Sequence, residues 1–406
     1  MNYQLLSEKY GTPLYLYDID KIKKIITDYL NNFKSKFFST EVLYASKAFC
    51  IKELLRIIET LGMSLDVVSL GELKTAEAVD FDYQKIYFHG NNKSHIELEY
   101  AVKNNVGYIV VDNFMELECL EMLAKKEEKK VKILIRLNVG IEAHTHKYIV
   151  TAHVDSKFGV LYNSKEYLEM FELIKKSKNI MFQGFHSHIG SQIFDLEAYG
   201  AAIDKLVSIC KDFKEPLILN LGGGFGAKYT LADSPIDTIT TCKYIINKVE
   251  DALVLNGVKL AKLCIEPGRS IVAEAGITLY KIGFIKQTVN KLYYFVDGGM
   301  TDNIRPALYQ ASYSADVVGK ENDFKKNLVT VAGKCCESGD VIIENILLPE
   351  AVPGDLLITY TTGAYGYSMS SNYNKNLTPA VVFVEDGIDR LVVRRQSFEE
   401  LLEREL

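Results

Sequence analysis

Eight short apolar runs rich in β-branched and aromatic residues constrain this chain more than any other feature. They cover residues 42–46, 64–68, 85–88, 107–111, 131–137, 181–187, 217–221 and 263–266. Most are separated by amphipathic stretches such as 51–61 and 69–79, with apolar residues at helical spacing. Strand–helix alternation calls for a parallel sheet, and eight such units call for an α/β fold of the (β/α)8 barrel type. A doubly wound open sheet is the alternative. It does not easily explain why chemically interesting residues follow so many of the strands.

After about residue 275 the pattern changes. Strand-like runs at 277–287, 291–296, 328–332, 356–360, 380–385 and 389–394 follow one another closely and read as a compact β-domain. Residues 13–18 read as one more strand, placed before the barrel and able to join that domain. The tail 398–406 reads as a short charged helix. The expected organisation is a barrel over 30–275, with 1–29 and 276–406 forming the β-domain. A length of 406 residues suits a barrel with a smaller partner.

The formal charge of −6 argues against nucleic acid or an anionic membrane as the main partner. The start, Met1-Asn2-Tyr3-Gln4-Leu5, has no basic region followed by an apolar stretch, and no apolar run approaches membrane-spanning length. Seven cysteines, an odd number, are scattered without a zinc-type pair of pairs. A reducing cytoplasm is the expected location.

Several constellations carry chemistry. Lys47 closes the first barrel run, where an amine would project from the end of a buried strand. Desolvation there would lower its pKa and free a nucleophile of the kind that forms Schiff bases. The alternative is a snorkelling surface lysine. Gly222-Gly223-Gly224 follows the seventh run and reads either as an anion-binding turn or as a plain tight turn. Glu266-Pro267-Gly268-Arg269 follows the eighth. Its carboxylate needs a cationic partner, either a protonated pyridine nitrogen or Arg269 itself.

His186-Ser187-His188 ends the sixth run, and Ser191 lies just beyond. One imidazole could stack on a planar cofactor, and Ser191 could donate to phosphate. In the β-domain, Cys335-Cys336-Glu337 offers a thiol as proton donor and a carboxylate for a substrate ammonium. The other reading of these cysteines is small buried hydrophobes. Arg305 and Tyr309, with Tyr365 in a Gly-Ala-Tyr-Gly turn, complete the set. The segment 140–160 reads as a long active-site loop, and its His144/His146 pair lacks a further ligand at metal spacing. No metal is expected.

Taken in order, these residues resemble the diaminopimelate decarboxylases, a branch of the pyridoxal phosphate (PLP)-dependent fold that includes alanine racemase and ornithine decarboxylase. The resemblance runs from Tyr10-Gly11-Thr12-Pro13 to Arg394-Arg395. It implies a barrel plus a β-domain joined by the N-terminal strand, and a homodimer whose β-domain contributes to the active site across the interface. It implies that Lys47 holds PLP covalently, His188 stacks on the ring, and Glu266 binds the pyridine nitrogen. Ser191, Gly223, Gly224 and Arg269 would hold the phosphate region, and Tyr365 would border the cofactor. Cys336 of the second subunit would be the proton donor, and Arg269, Arg305, Tyr309, Glu337 and Tyr365 would hold the substrate.

The implied activity is decarboxylation of meso-2,6-diaminopimelate to L-lysine and CO2, the last step of lysine biosynthesis. The alternatives are a related decarboxylase of ornithine or lysine, carboxynorspermidine or a carrier-linked glutamate, and a non-catalytic PLP-binding protein. Racemase chemistry is disfavoured by Glu266. Two departures from the family fall in the long loop: Lys147 where many members have Pro, and Ala152 where many have Gly.

Overall fold

A computed structural model describes residues 1–140 and 156–406. The loop histidines His144 and His146 and the departures Lys147 and Ala152 lie outside the described residues. The chain divides into two compact units. One comprises Ile25–Gly226 and Pro235–Gly268; the other comprises Met1–Lys24, Ala227–Ser234 and Arg269–Leu406.

β1 (Leu14–Asp18) precedes the barrel strands β2 (Ser39–Ala45), β3 (Ser64–Val67), β4 (Ile86–Phe88), β5 (Tyr108–Val111) and β6 (Val131–Asn138). After a two-residue strand β7 (Val160–Leu161) come β8 (Ile180–His186), β9 (Leu217–Asn220) and β10 (Leu260–Ile265). The strands pair in parallel in the order β2–β3–β4–β5–β6–β8–β9–β10, and β10 pairs with β2 to close the ring. Closure decides for the barrel over the open sheet. Helices with side-chain caps return the chain between strands. Ser94 and Glu97 form a capping box for His95–Lys103, and Gly257, at φ 64°, ends Thr238–Asn256.

Alternation along each strand explains what fills the ring. Leu43, Tyr87, Tyr108, Val110, Leu134, Ile218 and Cys264 form one buried cluster contributed by six strands. Successive side chains of a strand point to opposite faces. Two residues beyond members of this cluster, toward the carboxyl ends of their strands, stand Ala45, His89, Asp112, Arg136, Asn220 and Glu266. Apart from Ala45, the apolar floor thus gives way to a polar layer at the end where barrels place their chemistry.

The second unit holds a mixed sheet. Its further strands are β11 (Gly276–Gln287), β12 (Leu292–Val296), β13 (Ala315–Val317), β14 (Asn327–Ala332), β15 (Val341–Leu348), β16 (Leu356–Thr359), β17 (Ala380–Glu385) and β18 (Ile388–Val393). The N-terminal β1 runs antiparallel to β11 and parallel to β17, at the centre of this sheet. Leu14 and Leu16 pack there with Leu279, Ile358 and Val382. β13, β15 and the N-terminal helix Tyr3–Tyr10 have no counterpart among the expected elements.

Candidate active site

The barrel unit gathers Lys47, His188, Ser191, Gly223, Gly224 and Glu266 at or just past strand ends. Lys47 departs from expectation in one respect. It lies in a 3-10 turn, Ser46–Ala48, directly after β2. Its side chain is 41% accessible, and its Nζ is 3.5 Å from Oδ2 of Asp66, which is 1% accessible. What marks this amine is therefore a buried acid partner rather than burial of its own. Burial pushes the Asp66 carboxyl above its usual range, while His89 and Lys47 pull it back.

Glu266 is held by several partners. It is buried, yet Asn220 Nδ2 donates to its Oε1 at 2.6 Å and His186 Nε2 lies 3.2 Å from its Oε2. His89 Nε2 is 2.9 Å from Oε1 but off the direction of a hydrogen bond, so this contact is electrostatic. Burial works to raise the Glu266 pKa, but His89 and His186 overcome it and hold the carboxyl well below its usual range. Burial pushes the His186 imidazole down to about 4. The donor atoms of His89, His186 and Glu266 lie within 4.8 Å of one another, a spacing that could also hold a metal ion. The contacts of the two imidazoles with the carboxylate account for the arrangement without one.

The three glycines are there because backbones meet. A Cβ on Gly222 would strike His188, one on Gly223 the Glu266 carbonyl, and one on Gly224 the Gly190 carbonyl. The Gly223 N–H donates to His188 Nδ1 at 3.2 Å, which leaves Nε2 to carry the proton of the neutral ring. Burial, with Lys47 and Arg136 nearby, depresses the His188 pKa well below its usual value. The turn thus orients an imidazole and presses against the strand end that carries Glu266.

The sheet unit gathers Arg269, Arg305 and Tyr365. The helix Arg269–Val272 receives the turn at Gly363, whose N–H donates to Ala273 O at 3.1 Å. This brings the Tyr365 ring, on a residue at φ 60°, to 4.8 Å from the Arg269 guanidinium carbon. Two tyrosines join them that the sequence reading does not single out. Arg269 Nη1 donates to Tyr229 Oη, and Arg305 Nη1 donates to Tyr313 Oη, each at 2.5 Å. The Arg305 guanidinium carbon lies 4.6 Å from the Tyr229 ring centroid. Tyr309 is half-buried at the end of the helix Arg305–Tyr309. Cys335 is buried, with its thiol pushed up to about 11 by burial and by Asp340, whereas Cys336 and Glu337 are exposed. Tyr373 Oη donates to Glu337 at 3.4 Å.

The closed barrel, with an ionised carboxylate, a lysine and a neutral imidazole at its strand ends, has the chemistry of a pyridoxal enzyme. Residues 21–273 match the family described as pyridoxal-dependent decarboxylase, pyridoxal binding domain. The chain is 46% identical over 397 residues to a diaminopimelate decarboxylase of Bacillus methanolicus, covering 96% of this chain and 92% of that protein. It is 45% identical to that of Bacillus subtilis, covering 99% and 93%. The crystal structure of diaminopimelate decarboxylase from Helicobacter pylori complexed with L-lysine superposes with a TM-score of 0.91 at 36% identity, covering 99% and 98%. This chain belongs to the diaminopimelate decarboxylase family.

Proposed function

We propose that this chain decarboxylates meso-2,6-diaminopimelate to L-lysine and CO2 with pyridoxal 5'-phosphate as cofactor, the closing step of lysine biosynthesis. The observation that carries the reading is Glu266, a buried carboxylate held ionised by Asn220, His186 and His89. Such a group matches a protonated pyridine nitrogen, and nothing else in a barrel mouth calls for it as directly. Lys47 supplies the amine that tethers the cofactor, and His188 covers one face of the ring. Ser191, Gly223, Gly224 and Arg269 hold the phosphate region, and Tyr365 borders the cofactor. Bound there, the cofactor supplies an attachment point for the substrate amine and a ring that accepts the electron pair left when CO2 departs.

The remaining steps belong to side chains. Arg305 takes the carboxylate at the end of the substrate that does not react, and Glu337 takes the ammonium beside it, with Tyr309 completing the contact. A diamine or a simple monocarboxylate leaves one of these charges without a partner, which is how a polar site rejects it. The Cys336 thiol then delivers a proton to the α-carbon. We place Cys336 and Glu337 in the site of the other subunit of a homodimer, with the β-domain (1–29 and 276–406) completing the partner's barrel (30–275). Among the described residues no helix is long and apolar enough to cross a membrane. We place the enzyme in the cytoplasm.

The test is CO2 release by PLP-loaded protein offered meso-diaminopimelate, lysine, ornithine and carboxynorspermidine side by side. Turnover of diaminopimelate alone, with lysine as product, is expected. Preference for any of the others would overturn the substrate.

A further inference from the structure

We propose that Tyr313 is a positioning residue for substrate recognition: its hydroxyl fixes the plane of the Arg305 guanidinium, over the ring of Tyr229, to receive a carboxylate. The inference rests on the reading that Arg305 binds the non-reacting end of the substrate.

The geometry is specific. Arg305 is only 7% accessible. One of its Nη atoms donates to Tyr313 Oη at 2.5 Å, and its guanidinium carbon lies 4.6 Å from the Tyr229 centroid and 5.5 Å from that of Tyr313. The two tyrosine rings meet edge to face at 5.3 Å. Burial works against the Arg305 charge, and the Tyr313 hydroxyl that accepts its hydrogen bond and the face of the Tyr229 ring offset that cost. Phenols are neutral near pH 7, so they orient the charge without cancelling it. Among the described residues the groups that meet this buried guanidinium are neutral rings and a hydroxyl, which leaves it poised for an anion. With one N–H committed to Tyr313, the others form a fixed fork that suits a carboxylate.

Local structure delivers Tyr313 to this place. The helix Arg305–Tyr309 ends at Gln310, which takes the left-handed conformation at φ 54° and turns the chain back. The residue after Tyr313, Ser314, donates its hydroxyl to the Tyr229 carbonyl at 3.0 Å. Thr361 donates to the adjacent Lys228 carbonyl at 2.8 Å. Tyr229 and Tyr313 are thus stitched to each other, and Arg305 lies between hydroxyl and ring.

The ligands that read this out are L-lysine, which keeps a carboxylate, and cadaverine, the same diamine without it. In the full-length holoenzyme, Tyr313→Phe is expected to weaken inhibition by lysine about tenfold and to raise KM for diaminopimelate by a similar factor. Inhibition by cadaverine, kcat and bound PLP should stay within about twofold. Tyr313→His, which keeps a ring and an acceptor, should retain the lysine preference within about threefold and serves if the Phe variant fails to fold. Unchanged lysine inhibition in Tyr313→Phe, equal loss for lysine and cadaverine, or a histidine variant as poor as Phe would each overturn the proposal. Arg305→Gln, which removes the positive charge, separates the two levels. If it leaves the preference for lysine over cadaverine intact, the role of Arg305 itself is wrong. If it abolishes that preference while Tyr313→Phe does not, only the role of Tyr313 fails.

Discussion

His186 Nε2 lies 3.2 Å from Glu266 Oε2, inside the barrel, with both side chains almost wholly shielded from water. A neutral imidazole donates there to an ionised carboxylate. Asn220 secures the other oxygen at 2.6 Å. On the proposed function the pair sets the charge offered to the cofactor, and the depressed His186 pKa contributes to the response of the fold to acid.

Glu266→Gln tests the first consequence. The amide cannot supply the negative charge that keeps a pyridine nitrogen protonated. CO2 release should fall at least about a hundredfold. Borohydride should still fix PLP to the protein, because Lys47 is untouched, and the intact mass would show it. A variant with near-normal turnover would remove Glu266 from the mechanism.

The second consequence is a pH window. Burial holds His186 at about 4 in the folded chain, against an ordinary value of 6.5. Between these values the unfolded chain binds a proton that the folded one refuses. The stabilisation is therefore complete above about 6.5 and is lost as pH falls toward 4, on the order of 2–3 kcal/mol. His186→Gln removes this dependence together with a fixed hydrogen-bond contribution. The Tm difference between the native protein and the variant should narrow steadily from pH 7 to pH 4. A constant gap would mean that the imidazole titrates normally.

Shared sites are tested by mixing subunits. We place Lys47 and Cys336 in one active site but on different chains. Lys47→Ala should lose borohydride-fixed PLP, and Cys336→Ala should keep it; each alone should release little CO2. Mixed and allowed to exchange subunits, they should regain partial activity, because some dimers carry one intact site. Exchanged dimers with no recovery would place the two residues on the same chain.

Much of the fold is legible because parallel barrel strands, covered on both faces, read as unbroken apolar runs. The strand Val341–Leu348 hides because Glu344 and Asn345 interrupt its pattern; Asn345 sits at φ 57° where the pairing with β14 shifts register. The helix Tyr3–Tyr10 buries Leu6 alone, too little for a periodic signal. In the site, Lys47 and Glu266 stand out because a charge ends an apolar run. Asp66 lies inside such a run and reads as an interruption. His89 follows its run and Asn220 lies one residue inside the end of its own, and counting two residues on from Tyr87 and Ile218 would have found them. Tyr229 and Tyr313 carry no comparable signal. Their meeting depends on the left-handed Gln310 and on the Ser314 hydroxyl, contacts between segments far apart in the chain.

The turn that holds Tyr365 has a consequence for how this position can vary. Its backbone is left-handed, a conformation that costs a side-chain-bearing residue about 1–2 kcal/mol. Gly363 and Gly366 flank it where a Cβ would strike the carbonyls of Val272 and Thr362. Glycine at 365 would relax the backbone but discard the ring beside Arg269. Most other replacements would keep the strain and lose the ring as well. Every replacement without a ring therefore gives something up, and phenylalanine and histidine are exchanges that leave an aromatic face beside Arg269.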